Sequence, residues 1–343
     1  MTATDTTPDA SGRTDATQPL LEVDNLHVEF RTDEGTVRAV NGLSYRIHGG
    51  ETLAILGESG SGKSVSAQAV MGIIDMPPGS IPQGSIKFKG NDLLKMDEDA
   101  RRDIRGDHIA MVFQDALTAL NPVFTVGWQI GEMFRRHRGM NKKDARAKAI
   151  ELMERVRIPA ARERVDAYPH EFSGGMRQRI MIAMGIALDP EVLIADEPTT
   201  ALDVTVQAQI MELLAELQRE TGMGLILITH DLGVVAEVAD RVVVMYAGRE
   251  VEKAEIHELY GRPLHPYTDG LMQSIPRPDL SLDRLEPIQG APPDLLRIPP
   301  GCPFHPRCPH AQPQCQTDVP LLRPVGDLAD RLSACHFSEE IFQ

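Results

Sequence analysis

The sequence predicts an α/β domain with a parallel sheet core, interrupted by a helical insert and followed by a proline- and cysteine-rich extension. Three observations carry this reading. Short, wholly apolar runs end in glycines or carboxylates, strand and helix alternate on both sides of a helical stretch, and all four cysteines lie beyond residue 300. A chain of 343 residues suits one large domain plus an appendage.

In chain order, residues 1–18 form a Thr/Asp-rich tail expected to be disordered, with no apolar run of the kind a secretory signal needs. Leu20–Phe30 partly alternates and reads as a strand, and Thr32-Asp33-Glu34-Gly35 reads as a turn. A second strand is expected at Leu43–Ile47, before Gly49-Gly50. Thr52–Leu56 is a short apolar run of the type found in buried parallel strands, and Ser85–Lys89 and Ile109–Phe113 are further strands. From Trp128 to Leu188 the pattern is helical, with Ala145, Ala149, Leu152, Met153 and Val156 on one face. Strand and helix then alternate again. Val192–Ala195 is a strand, and Val206, Ile210, Leu213, Leu214 and Leu217 form a helix face closed by Gly222. Leu225–Ile228 and Val242–Tyr246 are strands, the latter turning at Gly248 into Arg249–Glu252. Beyond about residue 255 loop signals dominate.

Composition excludes some functions. The 35 Lys+Arg against 50 Asp+Glu give a net charge of −15, which disfavours wholesale binding to nucleic acid or to an anionic lipid surface. Aromatic residues make up 4% of the chain with Trp128 alone of its kind, too few for a base-stacking platform. No apolar run has the length of a membrane span. The chain is therefore expected in the cytoplasm, acting on any membrane through a partner.

The chemistry starts at Gly57-Glu58-Ser59-Gly60-Ser61-Gly62-Lys63-Ser64. This is G-x-x-x-x-G-K-[ST] directly after a strand and before a helix starting near Val65. Backbone N–H groups of such a loop curl around phosphate oxygens, and the helix N-terminus adds a favourable dipole. Lys63 is placed to reach β/γ-phosphates and the Ser64 hydroxyl to ligate Mg²⁺. The Val192–Ala195 strand ends in Asp196-Glu197. Asp196 there suits a Mg²⁺ ligand, and Glu197 suits a base for an attacking water.

Between these motifs, Phe172-Ser173-Gly174-Gly175-Met176-Arg177-Gln178-Arg179 resembles the signature of ATP-binding cassette (ABC) ATPases. The resemblance covers roughly residues 20–255 and implies a P-loop NTPase fold: an ABC nucleotide-binding domain over 19–255, with an N-terminal antiparallel β subdomain and a helical subdomain at about 116–188. It also implies that Ser173, Gly174, Gly175 and Met176 cap the ATP held by a second ATPase subunit. Gln114 resembles the Q-loop glutamine near Mg²⁺ and the attacking water, Ala201-Leu202-Asp203 the D-loop, and His230 the switch histidine on the γ-phosphate. Phe30 resembles the aromatic that stacks on adenine, with a core position in the N-terminal strands as the alternative. A narrower resemblance is to the ATPases of oligopeptide/dipeptide importers, D-type. It is carried by Phe113–Pro122, Tyr168–Met176, His265-Pro266-Tyr267-Thr268 and Pro299–Cys308, with Ala116 where that family often has proline. It implies ATP hydrolysis powering di- or oligopeptide import at the cytoplasmic face of the membrane. The partners would be a second ATPase, two permeases and an extracytoplasmic peptide-binding protein, with no nucleic acid. Nickel importers share most of these motifs, and a soluble cassette protein acting on ribosomes or DNA is the rival class.

The extension, residues 256–343, holds Cys302, Cys308, Cys315 and Cys335, spaced C-x5-C-x6-C-x19-C. This spacing is wider than zinc-finger or ferredoxin patterns. Such a segment has little core of its own and would gain stability from a metal clip. The family resemblance implies a [4Fe–4S] cluster. Zinc, with His305, His310 or His336, and reduced structural thiols are the alternatives.

Overall fold

The computed structural model describes residues 18–200, 202–274, 288–326 and 330–342, so nearly all of the expected N-terminal tail lies outside the described residues. The chain opens with a long hairpin, β1 (Leu21–Thr32) and β2 (Gly35–Ile47), turning at Thr32–Gly35. Then come β3 (Thr52–Leu56), α1 (Lys63–Met71), β4 (Gly79–Phe88) and β5 (Asn91–Asp92). Next are α2 (Glu98–Ile104), β6 (Ile109–Val112), α3 (Ala116–Ala119), α4 (Val126–Arg138), α5 (Lys142–Arg155), α6 (Ala161–Arg164) and α7 (Gly174–Gly185). The second half runs β7 (Val192–Asp196), α8 (Val204–Thr221), β8 (Gly224–Thr229), α9 (Leu232–Val238), β9 (Arg241–Tyr246) and β10 (Arg249–Glu255). After residue 255 come α10 (Ile256–Gly261), α11 (Pro266–Gln273), β11 (Arg323–Pro324) and β12 (Leu332–Ser333), with shorter turns between.

Two sheets result. One is antiparallel, in the order β2-β1-β4-β5, and the other runs β11-β12-β10-β9-β3-β8-β7-β6, parallel from β9 to β6. The apolar runs are continuous because the parallel strands are buried on both faces. In β3, Leu53 and Ile55 face one core, shared with the antiparallel sheet and α1. Ala54 and Leu56 face the other, shared with the helices. Val192 and Ile194 against Leu193 and Ala195 repeat the alternation on β7. On α5, Ala145, Ala149, Leu152 and Met153 are buried as the helical period requires.

Two strands start earlier than the side-chain pattern indicates. The second begins at Gly35 rather than Leu43, and β4 at Gly79 rather than Ser85. The stretch added to β4 is largely exposed, whereas that added to β2 buries Ala39 and Val40; both pair with the long β1, with Val37 opposite Phe30 and Gly79 opposite Phe30 on its other side. The extension also departs from loops alone. Its β12 pairs with β10, Glu252 opposite Ser333 and Lys253 opposite Leu332. Nor does the extension rely on a core of its own. Phe304 is 2% exposed and packs at 5.2 Å and 5.4 Å, ring centre to ring centre, on Tyr246 and Tyr267.

Glu252 on β10 is fully buried and accepts the N–H groups of Leu264 and His265 at 2.7 and 2.9 Å, fixing the entry to α11. Burial pushes its carboxyl up to about 7, against the pull of those donors and of Arg331. Unfolded, the group titrates near 4.5. The folded state therefore holds the proton more tightly. The resulting stability is fully present below pH 4.5 and is lost, by roughly 3 kcal/mol, as the pH rises through 7. Glu252→Gln cannot ionise and gives up one N–H bond, about 1 kcal/mol at every pH. In denaturant unfolding, the wild-type advantage at pH 5 should shrink or reverse at pH 8. A gap that stays constant would count against a neutral buried carboxyl.

Candidate functional site

The phosphate loop leaves β3 at Leu56 and enters α1 at Lys63. Two of its glycines are steric necessities. At Gly57 (φ 153°) a Cβ would stand 2.3 Å from the Met245 carbonyl oxygen, and at Gly62 (φ 100°) 2.1 Å from that of Ala39. Gly60 also has positive φ, in open space. Glu58, Ser59, Gly60 and Ser61 line a recess closed on its other side by Pro292–Leu295 of the extension. Ser61 is buried and its hydroxyl oxygen has no hydrogen-bond partner among the described residues.

Lys63, 4% exposed, lies across the loop. Its Nζ donates to the carbonyls of Gly57 (2.7 Å) and Glu58 (3.0 Å) and stands 4.0 Å from Glu197 Oε1. Burial lowers its pKa, opposed by the charges of Glu197, Asp196 and Glu58. Ser64 Oγ donates to Asp196 Oδ1 at 2.9 Å, although 132 residues separate them. Burial raises the Asp196 pKa, with Glu197 adding to the rise and Ser64 and Lys63 opposing it. A hydroxyl and a carboxylate so paired are two adjacent oxygen donors, the chemistry that Mg²⁺ prefers. Val65 follows on α1, partly buried against the core beneath the antiparallel sheet.

Glu197 is where the separate motifs meet. It follows β7 in a left-handed backbone conformation (φ 44°), its N–H donating to the Ile228 carbonyl at 2.8 Å. Gln114 Nε2 donates to Glu197 Oε2 at 2.8 Å, and His230 Nδ1 lies 3.5 Å from Oε1. The Thr200 hydroxyl also donates to Oε2, at 2.9 Å. The sequence reading did not single out Thr200, and its spacing of three residues past Glu197 is the available signal.

The remaining motif residues stand elsewhere. Ser173 caps α7, its Oγ accepting the Met176 N–H at 3.3 Å. Gly174 and Gly175 face Leu202 and Val206, where a Cβ on Gly175 would meet Val206 at 2.6 Å. Met176 lies against Arg164. Asp203 caps α8 by accepting the Val206 N–H at 3.0 Å, while Ala201 of the same motif lies outside the described residues. Phe30, half-buried on β1, touches Gly79 and packs against the adjoining core.

The cysteines gather in the extension. All four are unpaired thiols, and they line one small cavity with His265, His305, His310 and His336. Burial pushes Cys302 up to about 12 and Cys308 up to about 11, with Cys315 and Cys335 adding to the rise at both. Among the described residues, no three His, Cys, Asp or Glu side chains are drawn together closely enough to hold a single metal ion.

Known proteins give this geometry its context. Residues 40–200 match the family model described as ABC transporter, and residues 251–315 match the one described as oligopeptide/dipeptide transporter, C-terminal region. The chain is 53% identical over 303 residues to the dipeptide transport ATP-binding protein DppD of Bacillus subtilis, covering 88% of this chain and 90% of that one. It is 51% identical to the oligopeptide transport ATP-binding protein OppD of Salmonella typhimurium, covering 90% and 92%. Among solved structures, the ATP-binding cassette MJ0796, dimeric in a post-hydrolysis state with ADP and Pi, superposes with a TM-score of 0.62 at 26% identity. That match covers 69% of this chain and 98% of the other. Half-identity over 88% of the chain, with a family match in the cassette and another in the extension, is far more than a shared phosphate loop produces, and this chain belongs to the family of ABC transporter ATP-binding proteins with an oligopeptide/dipeptide-type C-terminal region.

Proposed function

We infer that this chain hydrolyses ATP to power the import of di- or oligopeptides, working as one of two ATPase subunits. The observation that supports this best is the convergence of Gln114, Thr200, His230 and Lys63 on the single carboxylate of Glu197, beside the Ser64–Asp196 pair. The relatives named for dipeptide and oligopeptide transport support the cargo class.

The residues divide the work. The loop from Gly57 to Val65 holds the phosphates, with Lys63 trading its carbonyl contacts for phosphate oxygens. Ser64, Asp196 and Gln114 would hold Mg²⁺, which when bound would neutralise charge on the phosphates. Glu197 accepts the proton of the attacking water as its oxygen bonds to the γ-phosphorus and the bond to ADP breaks. His230 sits beside Glu197 to contact the γ-phosphate, and Phe30 offers its ring to adenine. Ser173–Met176 and Asp203 serve the nucleotide of the partner ATPase. No helix among the described residues is long and apolar enough to cross a membrane, so the chain reaches the bilayer by docking on two permease subunits fed by an extracytoplasmic binding protein. Nucleic acid is not a partner in this reading, in keeping with the charge of −15.

Glu197→Gln should retain ATP binding while lowering turnover of the assembled transporter by on the order of 100-fold, because it removes the base and spares the phosphate contacts. Near-normal hydrolysis would overturn the assignment. Lys63→Ala should instead weaken ATP binding itself, which equilibrium titration measures directly.

The four cysteines fit a metal centre by donor chemistry: free thiols around one cavity, with burial disfavouring the thiolates of Cys302, Cys308 and Cys335 unless a cation offsets the charge. A cluster distributes its thiolates over several irons, and we assign Cys302, Cys308, Cys315 and Cys335 to a [4Fe–4S] cluster; zinc, the alternative, would need these donors to draw closer around one ion. Anaerobically purified protein should be brown and carry about four irons per chain. Cys308→Ser should remove the iron and raise protease sensitivity beyond residue 288. Stoichiometric zinc without iron, from iron-supplied cells, would replace the cluster assignment.

A further inference from the structure

One residue of the phosphate loop is held by the extension at two points. The Glu58 N–H donates to the Tyr267 hydroxyl at 2.8 Å. Its carboxylate accepts two bonds from Arg307, Nη1 to Oε2 at 2.6 Å and Nη2 to Oε1 at 2.9 Å, across 249 residues of sequence. The guanidinium is itself fixed. Its side chain is 5% exposed, its Nε donates to the Gln289 carbonyl at 3.1 Å, and Nη1 also reaches the Tyr246 hydroxyl at 3.3 Å. Tyr246, Tyr267 and Phe304 pack as a three-ring cluster beneath it. This is a bidentate, charge-assisted contact largely shielded from water, unlike the solvent-exposed ion pairs elsewhere on the chain.

The Glu58 carbonyl is held from within the loop, accepting from Lys63 Nζ at 3.0 Å and from the Ser61 N–H at 3.2 Å. A phosphate oxygen competes with that carbonyl for the Lys63 ammonium and loosens this contact. The side chain and N–H of Glu58 are then held by the extension, and its carbonyl by the short Ser61 turn. A loop already held in shape spends less of its binding free energy on ordering.

We infer that Arg307 and Tyr267 are positioning residues for nucleotide binding: the C-terminal extension holds the phosphate loop in its ATP-accepting shape through Glu58. The inference rests on the loop being the nucleotide site, as proposed above. It makes the extension part of that site, and by linkage ATP must in turn stabilise the docked extension.

The test is equilibrium binding of a fluorescent ATP analogue with Mg²⁺ to the full chain. Arg307→Met should weaken binding about 10-fold, the value of a charge-assisted bond. Arg307→Lys, which keeps the charge without the fork, should recover part of the loss. Adding Glu58→Gln to Arg307→Met should cost little more, because both remove one contact. Additive losses would show that the residues act separately and would overturn the inference. If Arg307→Met fails to fold, Tyr267→Phe decides, since it keeps the ring packing and removes only the hydroxyl. It should weaken binding about fivefold. Normal affinity in the folded Arg307 and Tyr267 variants, with Lys63→Ala still losing ATP, overturns the inference alone. Normal affinity in Lys63→Ala overturns the nucleotide-site reading, and the inference with it.

Discussion

Three wholly buried strands lying side by side, β3, β8 and β7, determine where chemistry can happen in this fold. Their parallel register sets Leu56 opposite Thr229 and Asp196 opposite Ile228. The phosphate loop, the Asp196-Glu197 corner and the turn carrying His230 therefore leave the sheet at one edge. A slip of one residue would separate Ser64 from Asp196 and also exchange the two cores, since neighbouring side chains on these strands face opposite sides. Burial on both faces forbids that slip. The packing of residues such as Ile194 and Leu193 into different cores thus governs distances between polar groups at the strand ends.

The same burial sets the electrostatics. It pushes Asp196 up and Lys63 down, each toward its neutral form, so the pair is only partly compensated by its own charges. A site in that condition gains from a cation at the carboxylate and an anion at the ammonium, the two charges that a Mg²⁺–phosphate group brings together. The left-handed backbone at Glu197, unfavourable for a side-chain-bearing residue, is held in place by its N–H bond to Ile228.

How much of this the sequence revealed follows from how local each feature is. The strand at Thr52–Leu56 and the glycine-closed helix ending at Gly222 are written in contiguous residues, and both lie where the pattern places them. The residues converging on Glu197 could be named because motif spacing encodes them, though periodicity alone gives no hint that Gln114 and His230 touch the same carboxylate. Thr200 was passed over because a hydroxyl beside an acidic pair is unremarkable until its partner is seen. Arg307 and Tyr267 could not be read at all as neighbours of Glu58. Nothing in a proline-rich stretch signals a bond to a loop 249 residues earlier. The early start of β2 escaped for a different reason: Gly35–Arg38 bury no side chain, and the buried pair Ala39 and Val40 is cut off from Leu43 by Asn41-Gly42, which reads as a turn.

The seating of β12 on β10 has a consequence for how the protein stays soluble. A seven-residue strand such as β10, with apolar Val251 and Ala254 buried along it, would present an open ladder of N–H and C=O groups if it ended the sheet. Instead it is followed by a two-residue strand, and that by another two-residue strand containing Pro324, which has no N–H to offer a further partner. The sheet is tapered to a blunt end. The extension therefore guards the cassette against edge-to-edge association with other chains, a protection that concerns crowding and biogenesis and is independent of anything done with nucleotide.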